Sequence, residues 1–281
     1  MALVDNEFDK FFMQVIRALE PYLDQVVIVG GCANALYRHL PHVRPGPTPL
    51  LTYDLDVAAP NRPREAKIGL GESLESAGLR PVPESQPTNK YAEANDPNKK
   101  LEFICPTEGL STNAKRKKPT LVDINPGAMA EALDYAELLL VQPLSVDLCT
   151  VPELGVRESL IVKIPHPIVY VIQKALIREN RRDQWKKAKD SYYTYEVAVL
   201  FRNQLKDLLA QVMAESALTT KRLRKAVTVL SAQFGHAAAE GVTETIDVGS
   251  DSSQAYPPDA RSVLRATGPL IEVLQNALEE G

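Results

Sequence analysis

Acidic residues stand inside segments of this chain that otherwise read as buried strand. Leu51-Thr52-Tyr53-Asp54-Leu55-Asp56-Val57 alternates with a period of two, so Asp54 and Asp56 face one side while Leu55 and Val57 face the other. Glu102 interrupts Leu101-Glu102-Phe103-Ile104-Cys105, and Asp123 interrupts Leu121-Val122-Asp123-Ile124 in the same way. Two carboxylates side by side repel each other, and a half-buried pair needs a cation. A lone acid in an apolar strand costs free energy unless it is paired or metal-bound. An all-oxygen set of this kind suits Mg²⁺, which takes one or two carboxylates together with substrate phosphates and water. Taken alone, the Asp-x-Asp pair reads more readily as a solvated turn.

Its surroundings add to it. Gln25-Val26-Val27-Ile28-Val29 is rich in β-branched residues and predicts a short buried strand ending at Gly30-Gly31. Phe8, Phe11, Phe12, Val15, Ile16 and Leu19 predict a helix before it, closed by Pro21; Ala33, Leu36, Tyr37 and Leu40 predict one after it. A proline-rich loop (Pro41, Pro45, Pro47, Pro49) then leads into the Asp-x-Asp strand. Glycines between a strand and a helix let backbone N–H groups approach an anion, although a tight turn explains an isolated Gly-Gly equally well. No Walker signature occurs. Gly69-Leu70-Gly71 has Leu74 where a dinucleotide fingerprint needs glycine, which excludes that motif.

Further on, the pattern predicts a helix over 65–77, a strand over 79–82, and a polar loop over 84–98 with a weak strand near Tyr91. Strands at 101–105 and 120–124 flank the basic loop Lys115-Arg116-Lys117-Lys118, and apolar runs at 137–141, 144–149 and 159–164 extend the sheet. From Pro167 helical patterns dominate (168–180, 184–206, 219–234, 260–279), with a Gly/Ser/Asp/Pro-rich connector at 241–258. The expected architecture is α+β: a small mixed sheet flanked by helices over residues 1–165, then a helical domain over 166–281.

Apolar residues make up 44% of the 281 and charged residues 24%, which excludes wholesale disorder. No run of 18 apolar residues predicts a membrane span, and no secretory leader is read at the start. Three widely spaced cysteines (Cys32, Cys105, Cys149) read as core packing rather than a disulfide scaffold; a cytoplasmic protein is expected. The net charge of −4 is unevenly spread, with nine basic against four acidic residues over 171–206. That local excess suits either a phosphate-facing surface or a solvated helix face. His166, between Pro165 and Pro167, reads as a turn residue, and no histidine has a partner at zinc spacing. Tyr192, Tyr193 and Tyr195 read as helix-face packing.

In order, Ile28-Val29-Gly30-Gly31, a helix, and Thr52-Tyr53-Asp54-Leu55-Asp56-Val57 resemble the nucleotidyltransferase superfamily that shares its minimal fold with DNA polymerase β. The resemblance implies that Gly30, Gly31 and Thr52 lie at the nucleotide, and that Asp54 and Asp56 hold two Mg²⁺ ions with a third acid from a neighbouring strand. Leu101-Glu102-Phe103-Ile104-Cys105-Pro106 is similar to the third-acid strand of uncharacterised members, which favours Glu102 over Asp123. The abortive-infection toxin branch is also similar, with Arg44 as a displaced arginine and a helical lysine followed by Lys-Asp. In this chain those are Lys174 and Lys189-Asp190, implied to serve the triphosphate, with Asp190 orienting a lysine. The activity that the resemblance implies is Mg²⁺-dependent transfer of a nucleoside monophosphate from an NTP to an acceptor hydroxyl. RNA or a protein would be the acceptor, and an antitoxin the companion of a toxin-like member. The other expectation is a nucleotide- or RNA-binding module that keeps the fold without turnover.

Overall fold

The computed structural model describes residues 6–50, 53–82, 88–93, 96–107, 120–251 and 257–280. The chain divides into two compact units, one of Met1–His39 with Leu51–Pro165, the other of Leu40–Leu50 with His166–Gly281.

The first unit begins with α1 (Asn6–Leu19), whose Phe8, Phe11, Phe12, Val15, Ile16 and Leu19 are all buried. Pro21 ends it in a single 3-10 turn over Glu20–Tyr22. There follow β1 (Val27–Val29), α2 (Gly30–Tyr37), β2 (Asp54–Ala58), α3 (Leu70–Ser76), β3 (Leu79–Pro81), β4 (Lys90–Glu93), β5 (Asp96–Pro106), β6 (Thr120–Asn125) and β7 (Ala128–Leu133). These strands form one mixed sheet in the order β1-β2-β5-β4-β3, with β7 also on β5 and β6 on β7. The β2–β5 and β5–β7 pairs are parallel and the others antiparallel. Its apolar face carries Leu55, Val57, Leu101 and Phe103, all fully buried.

Several expectations shift. The helix expected over 65–77 starts only at Leu70, whose N–H donates to the Asn125 side chain at 2.8 Å. Gly71 then abuts the β6–β7 turn so closely that a Cβ there would lie 2.7 Å from both Gly127 Cα and the Pro126 carbonyl oxygen. The polar stretch expected to be mainly loop carries β4, and β5 begins at Asp96. β7, Ala-Met-Ala-Glu-Ala-Leu, is not expected from the sequence because alanine has little strand propensity; pairing with β5 and β6 overrides it. The runs at 137–141, 144–149 and 159–164 do not extend the sheet. The first is a 3-10 helix (Ala136–Leu140) entered through left-handed Tyr135, and the others hold β8 (Leu144–Asp147) and β9 (Ile161–Ile164), a separate antiparallel pair. Short apolar runs do not by themselves distinguish strand from buried helix. The basic loop 115–118 lies outside the described residues. Cys32 and Cys105 are buried, but Cys149 is exposed rather than packed in the core.

The second unit contains α4 (Pro167–Ile177), α5 (Gln184–Leu200), α6 (Leu205–Val212), α7 (Thr220–Phe234), α8 (Glu240–Asp251) and α9 (Ala260–Glu280). Buried on every side from Pro167 to Leu176, Gln173 and Lys174 included, α4 packs against α5, α6 and α7. The pattern over 184–206 is broken by a turn at 201–204, and the expected connector at 241–258 is helical up to Asp251. Val242, Thr245 and Val248 recur there at helical spacing and are buried, so packing outweighs a poor helix-forming composition. Tyr192, Tyr193 and Tyr195 pack inside this unit.

His166 caps α4: its Nδ1 accepts from the Ile168 N–H at 3.4 Å, and its Nε2 lies 3.4 Å from Gln211 Oε1. Burial pushes its imidazole down to about 4, only partly opposed by Gln211. The unfolded chain therefore takes up the proton first as pH falls, and the stability His166 confers is complete above 6.5 and lost on the way down to 4. Urea unfolding across that window should show a decline of up to about 3 kcal/mol from this residue. His166→Asn, which keeps a capping oxygen, should flatten it; an unchanged slope would contradict the assignment.

Candidate active site

The pairing of β2 with β5 sets Asp56 opposite Glu102, and Asp54 opposite Lys100. On the other side of each strand, β1 sets Val29 opposite Asp56 and β4 sets Lys90 opposite Glu102. One row therefore crosses the sheet through Val29, Asp56, Glu102 and Lys90. Because Leu55, Val57, Leu101 and Phe103 take the buried face, the acids project from the other; Asp54 is exposed, and Asp56 and Glu102 are half-buried. Asp123 is on β6, which pairs with β7 rather than with β2 or β5, and so lies outside this row.

β1 ends at Val29, and Gly30 opens α2 with φ +66°, a left-handed conformation that favours glycine. A Cβ on Gly30 would collide with the Asp56 carboxylate, so the backbone at the start of α2 approaches that acid more closely than any side-chain-bearing residue allows. Gly31 follows in the first turn, buried, and Val29 contributes no side-chain cap. Thr52 lies outside the described residues.

Lys90 is the residue that sequence reasoning missed. Its Nζ lies 2.6 Å from Glu102 Oε1, with side-chain exposures of 37% for the lysine and 19% for the glutamate. Burial alone would lower its pKa; the hydrogen bond to Glu102 and the charges of Glu102, Asp54 and Glu131 outweigh that and hold the ammonium above its usual range. Its own segment, Lys90-Tyr91-Ala92-Glu93, does not alternate and lies in a polar, proline-bearing stretch, so only the non-local pairing with β5 marks it.

Asp54, Asp56 and Glu102 offer hard oxygen donors of the kind Mg²⁺ takes. Among the described residues, however, no three His, Cys, Asp or Glu side chains gather closely enough to hold a metal ion. The donor chemistry fits the ion, while Glu102 is held by Lys90.

In the helical unit, Lys174 Nζ lies 2.9 Å from Asp190 Oδ1, and Arg181 Nε is 3.1 Å from Asp190 Oδ2. Lys174 also sits over the rings of Tyr170 and Tyr193, 5.0 and 5.8 Å from their centroids. Lys189 is half-buried on α5 beside Asp190. Arg178 turns inward, to Glu244 at 2.9 Å and Glu240 at 3.1 Å, while Arg182 and Lys186 are exposed. Arg44 is exposed in the 40–50 loop, its backbone N–H bonded to the Leu200 carbonyl at 3.0 Å.

Gly30→Ala should strain the left-handed turn and push against Asp56, costing about 1–3 kcal/mol in urea unfolding; wild-type stability would mean the turn relaxes freely. A family model described as Nucleotidyltransferase matches residues 11–219, which begin inside α1, run past the end of α6 and include Gly30, Asp54, Asp56, Lys90, Glu102, Lys174, Lys189 and Asp190. Among curated proteins and among solved structures, none matches the chain. With the match covering most of its length, and with the strand–glycine turn and acid row inside it, the chain belongs to the nucleotidyltransferase family.

Proposed function

We propose that the acid row is the catalytic centre of an enzyme that transfers a nucleoside monophosphate from an NTP to an acceptor hydroxyl. Family membership supports nucleotidyl transfer in general. The observation that carries the finer reading is the register of Asp56 opposite Glu102, on one face with Asp54 and against the turn at Gly30.

In this reading Asp54, Asp56 and Glu102 would hold two Mg²⁺ ions. Bound there, Mg²⁺ would lower the pKa of the acceptor hydroxyl and neutralise the triphosphate and leaving pyrophosphate. Gly30 and Gly31 present backbone N–H groups to the phosphates at the start of α2, where the missing Cβ of Gly30 leaves room for the Asp56 carboxylate. Glu102 accepts the proton of the attacking hydroxyl. Transfer of this kind depends mainly on positioning and charge neutralisation, so the absence of a strong protein nucleophile among the described residues of the row fits it. The resemblance assigns Lys174 and Lys189 to the triphosphate and Asp190 to orienting a lysine, and within the helical unit Asp190 holds Lys174 at 2.9 Å. Thr52 completes the nucleotide set. RNA is the acceptor in the toxin-like form of the reading, in which the protein works in the cytoplasm and is restrained by an antitoxin.

One observation favours the second reading, a nucleotide-binding module without turnover: Glu102 is engaged by Lys90. Incubation of the wild type with each labelled NTP, Mg²⁺ and total RNA distinguishes the two. The account predicts pyrophosphate release with label on RNA, falling by about a hundredfold or more in Asp54→Asn/Asp56→Asn. NTP binding without release would support the module, and release unaffected by the double substitution would overturn the site.

A further inference from the structure

We infer that Lys90 is a built-in counter-cation of the acid row, a positioning residue that holds Glu102 when no metal is present and sets how tightly metal binds. The inference rests on the reading of Asp54, Asp56 and Glu102 as the metal-binding acids, and deepens it by naming what competes with the ion.

Three observations carry it. First, register: β4 runs antiparallel to β5 with Lys90 opposite Glu102, and β2 runs parallel to β5 with Asp56 opposite Glu102. The lysine is thus built into the same row as the acids and does not reach them from a loop. Second, contact: the ammonium donates to one Glu102 oxygen at 2.6 Å, a short charge-assisted hydrogen bond. Third, surroundings: the carboxylates whose fields act on Lys90 are Glu102 from β5, Asp54 from β2 and Glu131 from β7, three different strands. A row of acids on adjacent strands would repel itself without a cation. Lys90 supplies such a cation to Glu102 from the fold, while the β2–β5 register sets Lys100 opposite Asp54.

The consequence is competition. A divalent ion entering the row gains the acids but meets the unit positive charge of Lys90 and must draw on a carboxylate that the lysine already holds. Removing the charge while keeping a hydrogen-bond donor should therefore tighten metal binding. Replacing the lysine with another cation should not.

The test is Mn²⁺ binding, followed by the loss of the free-ion electron paramagnetic resonance signal, in the full-length wild type, Lys90→Gln, Lys90→Arg and Asp54→Asn/Asp56→Asn. Thermal unfolding with EDTA and with Mg²⁺ is the parallel readout. Expected are Mn²⁺ binding about tenfold tighter in Lys90→Gln and close to wild type in Lys90→Arg. In EDTA the melting point of Lys90→Gln should fall below wild type, with Mg²⁺ raising it more than it raises the wild type. Mn²⁺ binding unchanged or weakened in Lys90→Gln, or tightened as much in Lys90→Arg, would overturn the role of Lys90. If that happens while the double aspartate variant loses Mn²⁺, the acid row stands and only the competition fails. If the double variant binds Mn²⁺ like wild type, the assignment of the metal acids fails with it.

Discussion

Parallel pairing of β2 with β5 is the constraint on which the first unit depends. It stacks Leu55 and Val57 beside Leu101 and Phe103 on the buried face, and by the same register brings Asp56 beside Glu102 on the other. A slip of one residue would put the acids in the core and the apolar side chains in water, so the hydrophobic effect that closes the core also fixes the acid row. The row carries its own electrostatic cost, which Lys90 offsets from β4, and its own steric demand, which Gly30 meets by leaving room for the Asp56 carboxylate. Core and acid row are therefore consequences of one register, to which the β4–β5 pairing adds the lysine and the β1–β2 pairing the glycine turn.

The helical unit solves a different problem, that of holding charges inside a bundle. Its central helix α4 presents Lys174, and α5 answers with Asp190, whose two oxygens are divided between Lys174 and Arg181. Arg178, one turn on from Lys174, is enclosed by Glu240, Glu244 and Ser191. Breaking a buried pair from one side costs about 3–5 kcal/mol because the partner is stranded, so these groups fix how α4, α5 and α8 face one another. The +5 balance of residues 171–206 thus separates into enclosed cations with partners and an exposed set that includes Arg182 and Lys186.

Much of this is legible in the sequence where local pattern and tertiary demand coincide. Asp54 and Asp56 alternate with apolar residues, and the structure puts them on the face opposite the core; Gly30 stands at the strand-to-helix turn. The preference for Glu102 over Asp123 comes from resemblance, and register alone supplies a physical distinction, because adjacency of β2 and β5 is non-local. Lys90 cannot be found from its own surroundings: its meaning lies in a partner twelve positions away on a neighbouring strand. β7 and α8 are hidden for a related reason, since alanines in a strand and glycines, threonines and valines in a helix are placed by what they pack against. Asp190 reads as a lysine's partner, but its simultaneous hold on Arg181 depends on how the chain turns between α4 and α5.

The central claim is that the edge formed by β1, the Gly30 turn, β2 and the middle of β5 is where nucleotide and metal meet the protein. Hydrogen–deuterium exchange of the full chain, with and without Mg²⁺ and a non-hydrolysable NTP, tests it most directly. The account predicts added protection in peptides covering residues 27–34, 54–58 and 100–104, abolished when Asp54 and Asp56 are both replaced by Asn. Protection confined to other segments, such as β6–β7 or the β8–β9 pair, would contradict it.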